Sequence, residues 1–387
     1  MLRLLATSTS AQAAAAVAAL RSPAAPLFAA YSTVSRSTSV NHNRGGVSAA
    51  AAAAALVGLV AASAASQEGG STARCQAAIS PNEPVLKSPI VMVDRSGARL
   101  EVYPWGAHVT SYKTAEGREL IFLSRDAILD GKNAKAIRGG IPLCFPQFGQ
   151  PDKSYPQHGF LRNNYWKVVP SSRRYDDRGG ATIAFELDLN DVINARGDGK
   201  WGPETRLNAR CTLSLAFDRD SLTTTITMTN TGDSDWDFQV LLHNYFMVRG
   251  HAALDGEQCY VRGLEGYGVS DKVSGEEYMS GGEPVTVPDK LIDRVYTPPA
   301  GKAELNLVIG TGDSSTVELT ARGNVDGRPV AVSGVVWNPH EEKAKGMSDF
   351  GSDQYRDMLC VEPGLLDKVP ALKPGRSATF TQVIKAV

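Results

Sequence analysis

The sequence has few cysteines and lacks the motifs that mark the common metal and nucleotide sites. Its five cysteines are scattered and never form a CxxC pair, which argues against a disulfide framework and a zinc site. It has no GxxxxGK[ST] motif, no GxGxxG motif after a predicted strand and no GxSxG nucleophile elbow. These absences exclude a disulfide-stabilised module and the usual nucleotide-binding and nucleophile-elbow enzymes.

The chain also lacks an excess of charge of either sign. Its formal net charge is −1 over 387 residues, with +4 in residues 1–75 and −5 in the remainder. A mildly acidic body offers no basic surface to a nucleic acid and favours a soluble protein with a small-molecule partner. We expect no nucleic-acid partner, no stable membrane insertion of this body, and a monomer.

Acidic residues and lysine are missing from the N-terminal part. The first 67 residues contain no Asp, Glu or Lys, are rich in Ala, Ser and Thr, and carry four spaced arginines. This composition is typical of an organellar transit peptide. We predict a targeting segment at 1–75 and one folded domain at 76–387. The Ser/Thr/Ala richness favours a chloroplast, whereas the MLRLL start favours a mitochondrion, and we predict the chloroplast.

An Ala-rich run at 49–66 has two interpretations. It is short for a membrane span, which needs about 20 predominantly apolar residues. It is either more transit sequence or a second sorting signal, for the thylakoid lumen or the mitochondrial intermembrane space. The first interpretation places the mature protein in the chloroplast stroma.

From about residue 85 onward the pattern is that of strands. Short apolar or alternating runs are separated by turn residues, as in NARCTLSLAF and SLTTTITMTN on either side of Asp218–Asp220. In the second run Leu222, Ile226 and Met228 share one face, and threonines fill the other. No long amphipathic helix is predicted, although AKGMSDFG and QYRDMLC could form short ones. Many closely spaced strands predict an all-β sandwich or barrel.

Two of the six histidines stand out as candidates for chemistry. His158 follows a segment rich in Gly and Pro, and His243 lies in what we predict to be the middle of an apolar strand. A lone histidine in such a strand is more often a satisfied core residue, but a second histidine and Glu362 near a strand end favour an acid–base site. His108 is predicted to be a packing or surface residue, and His340 is placed to pair with Glu341 or Glu342.

Arginines flank the same Gly/Pro-rich segment. Arg138 precedes two glycines that permit close approach of the backbone, and Arg162 lies four residues after His158. A guanidinium offers a rigid fork for phosphate oxygens, so both are anion-binding candidates, with an ordinary salt bridge as the alternative. Lys272 is a further candidate cation.

Six segments occur in an order that resembles one known family. They are AIRGGIPLCFPQFG (136–149), QHGFLRN (157–163), LLHNYF (241–246), DRVY (293–296), WNPHEEKAKGMSDF (337–350) and LCVEP (359–363). Over residues 85–387 the chain resembles the glucose-6-phosphate 1-epimerase (hexose-6-phosphate mutarotase) branch of the aldose 1-epimerase superfamily. The resemblance implies a galactose-mutarotase-like β-sandwich, or supersandwich, of many antiparallel strands.

The resemblance also implies an activity, the interconversion of the α and β anomers of hexose 6-phosphates by ring opening and closure. It implies that Glu362 acts as the base, His243 as the acid, and His158 as a partner of the developing oxyanion. This chemistry requires no metal and no cofactor.

Substrate contacts follow from the same resemblance. It implies that Arg138 and Arg162 bind the phosphate and that Gln147 and Asp293 contact hydroxyl groups. The chain departs from the family at His340, where the family usually has an aromatic residue. The catalytic positions are all present, so we expect activity to be retained.

Two other functions compete with this one. A non-catalytic sugar-phosphate-binding module would keep the groove without needing an acid and a base side by side. An aldose 1-epimerase for unphosphorylated sugars would not need the two arginines.

Overall fold

The structure is a computed structural model that describes residues 88–131, 134–177, 179–190 and 207–387. The targeting segment predicted at 1–75 lies outside these residues. Twenty-one strands are found in the described ranges. The first seven are β1 Ile90–Val93, β2 Arg99–Tyr103, β3 His108–Lys113, β4 Leu143–Cys144, β5 Lys167–Val168, β6 Arg174–Tyr175 and β7 Ala181–Asp188.

The remaining strands continue from residue 209 to residue 386. The middle set is β8 Ala209–Phe217, β9 Ser221–Asn230, β10 Val240–Leu242, β11 Tyr245–Met247, β12 Cys259–Arg262, β13 Gly268–Asp271 and β14 Glu277–Met279. The last set is β15 Ile292–Thr297, β16 Glu304–Thr311, β17 Thr316–Val325, β18 Arg328–Val330, β19 Ser333–Asn338, β20 Met358–Leu365 and β21 Ser377–Ala386.

Among the described residues these strands form three antiparallel sheets. The smallest runs β1-β2-β3. An eight-stranded sheet runs β14-β13-β15-β19-β20-β10-β4, and β11 also pairs with β20. A ten-stranded sheet runs β12-β16-β17-β21-β9-β8-β7-β5, with β18 on β17 and β6 on β7. The predicted all-β sandwich of antiparallel strands is confirmed.

The hairpin of β8 and β9 shows how the sequence produces this fold. The strands pair from Ala209 opposite Asn230 to Phe217 opposite Leu222, as the two β-rich runs predict. The Asp218 carboxylate accepts the backbone N–H of Ser221 at 3.0 Å and so closes the turn. Leu222 and Ile226 are fully buried, each contributing about 1.5–3 kcal/mol to stability. Both faces of β9 are covered, because Thr223 and Thr225 on its other face are buried as well.

The main core lies between the two large sheets, and β20 is central to its position. Alternate residues of β20 point to opposite faces of its sheet. Leu359, Val361 and Leu365 join the large apolar cluster shared with the ten-stranded sheet. The close approach of the two sheets is clearest at Gly323 of β17, where a Cβ would lie 2.4 Å from Cδ2 of Leu365. The residues on the other face of β20 do not take part in this core.

Local structure differs from the sequence prediction in two places. The α-helix α1 spans His340–Lys345, so only the first two residues of AKGMSDFG (344–351), which could form a short helix, are helical. QYRD does form a short 3-10 helix, Gln354–Asp357. His243 is not in the middle of a strand, because β10 ends at Leu242 and β11 begins at Tyr245.

Candidate active site

A cavity of about 700 Å³ opens on the face of the eight-stranded sheet that points away from the main core. Strand alternation supplies its floor. Asp293, Val295 and Thr297 come from β15, Val335 and Trp337 from β19, and Glu362 from β20. The pairing of the strands puts these residues on one face, because Asp293 lies opposite Trp337, Val295 opposite Val335, and Val335 opposite Glu362. The walls come from the 145–162 loop and from the region of α1.

His243 and Glu362 meet at the floor of this cavity. Nδ1 of His243 lies 3.3 Å from Oε1 of Glu362, and the glutamate side chain is 1% exposed. The pairing of β10 and β11 with β20 explains this approach. Val240 lies opposite Leu365 and Tyr245 opposite Cys360, so the same register brings residue 243 opposite residue 362. Directly opposite residues on antiparallel strands have side chains on the same face.

His158 reaches the cavity from the loop that follows β4. Nδ1 of its ring accepts the backbone N–H of Gly149 at 3.1 Å. The backbone N–H of His158 donates to the Gly149 carbonyl at 2.7 Å. Since a neutral imidazole has one acceptor and one donor nitrogen, Nε2 carries the hydrogen. His158 therefore has a ring N–H that can donate to a ligand. The centroids of the His158 and His243 rings are 5.8 Å apart.

The turn at His158 explains why the segment is rich in glycine. His158 and Gly159 both have positive φ angles, 63° and 72°. A Cβ at Gly159 would lie 1.8 Å from the carbonyl oxygen of Phe145, so only glycine allows the two chain segments to pass this closely. The Phe145 N–H donates to the His158 carbonyl at 3.2 Å, and the Phe160 N–H donates to the Phe145 carbonyl at 2.8 Å, which fixes the loop.

The structure corrects the prediction for Gln147. Its side chain is 4% exposed and does not line the cavity. The amide donates to the carbonyls of Asp152 and Pro156, each at 3.1 Å, and its Oε1 accepts the N–H of Asp152. Gln147 thus holds the 152–156 loop together, because these buried backbone groups need partners.

Both arginines line the cavity, as expected. Arg138 is held in place by Asp349, with Nε to Oδ1 at 3.2 Å, and by the Tyr245 hydroxyl, with Nη1 to the oxygen at 3.2 Å. Arg162 donates from Nη2 to the Gln157 carbonyl at 3.1 Å, and its buried Nε has no hydrogen-bond partner. Each guanidinium therefore keeps N–H groups for a ligand.

Burial controls the protonation of the central pair. Desolvation, and then the charge of Asp293, raises the pKa of Glu362 well above its usual value. Desolvation, and then the neighbouring His158, Arg162 and Arg138, lowers the pKa of His243. Desolvation, and then the charges of Arg162 and Arg138, lower the pKa of His158 to about 3, so it stays neutral. Burial therefore favours the protonated form of Glu362 and the neutral form of His243.

The far wall carries groups of both signs. Asp293 lines the cavity with Lys272 and Lys343, and the Lys343 ammonium lies 5.9 Å from the centroid of the Trp337 ring. Burial raises the pKa of Asp293, an effect that the two lysines oppose. Asp293 and Lys272 were both expected near the site, and the structure brings them to it.

Several residues of the site were missed by sequence reasoning. The Tyr245 ring stacks on His243 with centroids 4.9 Å apart and planes at 9°. Because Tyr245 lies two residues after His243, strand alternation could have indicated it. Asp349 orients Arg138 from 211 residues away, and no local pattern signals such a contact.

Two of the other histidines, His108 and His340, make structural contacts. His108 is fully buried, and its Nε2 lies 2.8 Å from the Gly139 carbonyl, directly beneath the arginine-bearing turn. The packing role predicted for it is confirmed. His340 contacts Asp289 at 3.2 Å rather than its neighbouring glutamates and does not line the cavity. The position at which the chain departs from the family therefore lies outside the cavity lining.

Comparison with known proteins decides the family. The family model for aldose 1-epimerase matches residues 89–385. The chain belongs to the aldose 1-epimerase family. A Cenchrus ciliaris protein named "Putative glucose-6-phosphate 1-epimerase" is 35% identical over 302 residues, 76% of this chain and 85% of that protein. An Escherichia coli K12 protein with the same name is 30% identical over 302 residues, covering 76% and 90%.

Solved structures agree on the fold of this aldose 1-epimerase family member. The crystal structure of a "putative mutarotase" from Salmonella typhimurium has a TM-score of 0.59 at 24% identity, over 78% of this chain and 92% of that one. The galactose-mutarotase-like sandwich is confirmed. Family membership makes the protein an isomerase, an epimerase of sugar anomers. None of the described helices is long and apolar enough to cross a membrane.

The raised pKa of Glu362 predicts a pH-dependent stability. The folded state keeps the Glu362 proton at pH values at which the unfolded chain, with a usual pKa of 4.5, has lost it. This contribution is complete below the unfolded pKa and is lost as pH rises through the folded one. Glu362→Gln, which cannot ionise, should therefore gain melting temperature relative to wild type between pH 5 and pH 8.

The measurement is a series of thermal unfolding curves across that pH range. The same substitution at the exposed Glu304 controls for the loss of one negative charge. A difference in melting temperature between Glu362→Gln and wild type that stays constant from pH 5 to pH 8 would contradict the burial argument.

Proposed function

We propose that this enzyme is a hexose-6-phosphate 1-epimerase that acts on glucose 6-phosphate. The observation that carries the proposal is the pair Arg138 and Arg162 lining the same cavity as His243 and Glu362. An epimerase for free sugars has no phosphate group to bind. The relatives named for glucose 6-phosphate support the same substrate class.

The donor count of the arginines fits a phosphate group. Arg138 uses three of its five N–H groups on Asp349 and Tyr245, and Arg162 uses one on Gln157. The remaining donors are held in a partly desolvated cavity, where charge-assisted hydrogen bonds to phosphate are strong. The Tyr245 and Asp349 contacts also restrict Arg138 before the ligand arrives, which lowers the entropy cost of binding.

The central pair supplies the chemistry of anomer exchange. The hemiacetal opens when the C1 hydroxyl loses a proton and the ring oxygen gains one. Rotation about C1–C2 and closure then give the other anomer. In our proposal Glu362 takes the hydroxyl proton and His243 protonates the ring oxygen, each step contributing about 10²–10⁴-fold to the rate. The Nε2–H of His158 stabilises the oxygen on which negative charge develops.

Phosphate binding prepares the pair for this reaction. In the empty cavity the charges of Arg162 and Arg138 lower the pKa of His243. A bound phosphate dianion offsets those charges, so the imidazolium becomes less costly. In our proposal the proton of Glu362 then moves to Nδ1 of His243, which lies 3.3 Å from Oε1 of Glu362. The result is a carboxylate base beside an imidazolium acid, formed only when a phosphorylated sugar is present.

A coupled assay tests the substrate. Glucose-6-phosphate dehydrogenase is presented with freshly dissolved α-glucose 6-phosphate, and the lag before steady NADPH formation reports mutarotation. We expect the protein to shorten the lag with the phosphate sugar and to have little effect in the matching assay on free glucose. A protein that binds glucose 6-phosphate but leaves the lag unchanged would be a binding module.

Arg162→Gln refines this assay, because it removes one guanidinium group from the cavity and breaks only one protein hydrogen bond, to the Gln157 carbonyl. We expect KM for glucose 6-phosphate to rise at least about 10-fold, as for the loss of a charge-assisted phosphate contact. The exposed Arg125, paired with Asp353, provides the matched control as Arg125→Gln. An unchanged KM in Arg162→Gln would remove this arginine from the phosphate site.

We also propose that residues 1–75 direct the protein to the chloroplast. The proposal is supported by the absence of Asp, Glu and Lys from the first 67 residues and by their spaced arginines. Fusion of these 75 residues to a fluorescent protein is expected to label plastids. Diffuse cytosolic fluorescence would contradict an organellar location, and mitochondrial fluorescence would favour the alternative.

A further inference from the structure

The chain is not in strand conformation at His243, although strands precede and follow it. The break between β10 and β11 consists of His243 and Asn244. There the backbone N–H of His243 donates to the Pro142 carbonyl at 3.0 Å, and that of Asn244 donates back to the Leu242 carbonyl at 3.0 Å. The break removes part of the regular ladder to β20, next to Glu362.

Asn244 replaces the missing part of the ladder. Its carbonyl accepts the N–H of Val361 at 3.2 Å, and its side-chain Nδ2 donates to the Val361 carbonyl at 3.0 Å. Both backbone groups of Val361 are therefore satisfied by one residue. Asn244 follows His243, and Val361 precedes Glu362. The hydrogen bonds between Asn244 and Val361 therefore connect the chain next to His243 with the chain next to Glu362.

The Asn244 amide is itself fixed from the other sheet. Its Nδ2 donates to Oε1 of Gln382 at 2.9 Å, and Nε2 of Gln382 donates to Oδ1 of Asn244 at 2.8 Å. Both side chains are fully buried. On β21, Gln382 lies between Phe380 and Ile384, which belong to the apolar cluster between the sheets.

A buried pair of amides is an unusual use of a core position. Burying an amide is costly unless its donors and acceptors are paired, and an apolar pair of similar volume would be about as stable. A fully satisfied polar pair, by contrast, accepts only one arrangement of the two side chains. This restriction is useful where one side chain must be held in one orientation.

We propose that Asn244 and Gln382 are positioning residues for the active site. Gln382 fixes the rotamer of Asn244 from the ten-stranded sheet. Asn244 in turn fixes the break to β20, and thereby holds the His243 imidazole opposite the Glu362 carboxylate. Neither residue touches the cavity. The inference rests on the proposed acid–base function of the pair, and it adds that the other sheet of the sandwich sets the pair's geometry.

The test is Gln382→Met, which keeps the length and approximate volume of the side chain and removes both amide partners of Asn244. Misplacement of a catalytic group by about 1 Å can reduce the rate about 100-fold. We expect kcat for anomer exchange to fall between about 10- and 100-fold, with KM changed less than about twofold. If this variant does not fold, Gln382→Asn, which ends one methylene short of Asn244, is measured in the same way.

Thr381→Val is the matched control. It removes a buried hydrogen bond, Thr225 Oγ1 to Thr381 Oγ1 at 3.1 Å, from the adjacent position of the same strand. This control destabilises β21 without reaching Asn244, so its kcat should stay near that of wild type. A Gln382 variant whose kcat equals that of Thr381→Val, each assayed equally far below its melting temperature, would overturn the inference.

A second readout separates this inference from the proposed function. A crystal structure of Gln382→Met should show the distance from Nδ1 of His243 to Oε1 of Glu362 increased beyond 3.3 Å, or a changed imidazole rotamer. An unchanged pair refutes the positioning role even if the variant is slow. Absence of anomer exchange in the wild type refutes the proposed function, while the crystal structure still decides whether Gln382 positions His243.

Discussion

The carboxyl group of Glu362 is buried at the centre of an eight-stranded sheet, and the organisation of the site depends on this burial. Alternation along β20 gives its other face to the core shared with the ten-stranded sheet and places Glu362 on the cavity face, where its side chain is only 1% exposed. Desolvation then favours the protonated acid and makes its conjugate base strong. The register of β10 and β11 brings His243 to the one position where it can exchange that proton.

Opposing charges surround this pair at a larger radius. Arg138 and Arg162 make a positive charge on His243 unfavourable. Asp293 makes a negative charge on Glu362 unfavourable. Both effects favour the neutral forms of His243 and Glu362 in the empty site. A ligand that brings its own negative charge to the arginines changes this balance, which links the recognition of phosphate to the readiness of the acid and the base. On this account, substrate selection and catalysis use the same two arginines.

Much of this architecture could be predicted from the sequence because its causes are local. The alternating run Leu222–Met228 with Asp218 before it predicts the hairpin of β8 and β9. The glycines and prolines of the segment before His158 predict a loop there. Other features depend on contacts distant in the chain. Gln147 turns inward because the carbonyls of the 152–156 loop need partners. The break at His243 is stabilised by Gln382, 138 residues from Asn244, and an apolar run does not reveal it.

The central claim is that His243 and Glu362 exchange protons with a phosphorylated sugar in this cavity. Two-dimensional exchange NMR of glucose 6-phosphate at anomeric equilibrium tests it most directly, since cross-peaks between the α and β H1 signals grow with the rate of interconversion and need no coupling enzyme. The account predicts strong cross-peaks with wild-type protein, and intensities near those of the protein-free sample with folded Glu362→Gln. Equal cross-peaks for wild type and Glu362→Gln would contradict it.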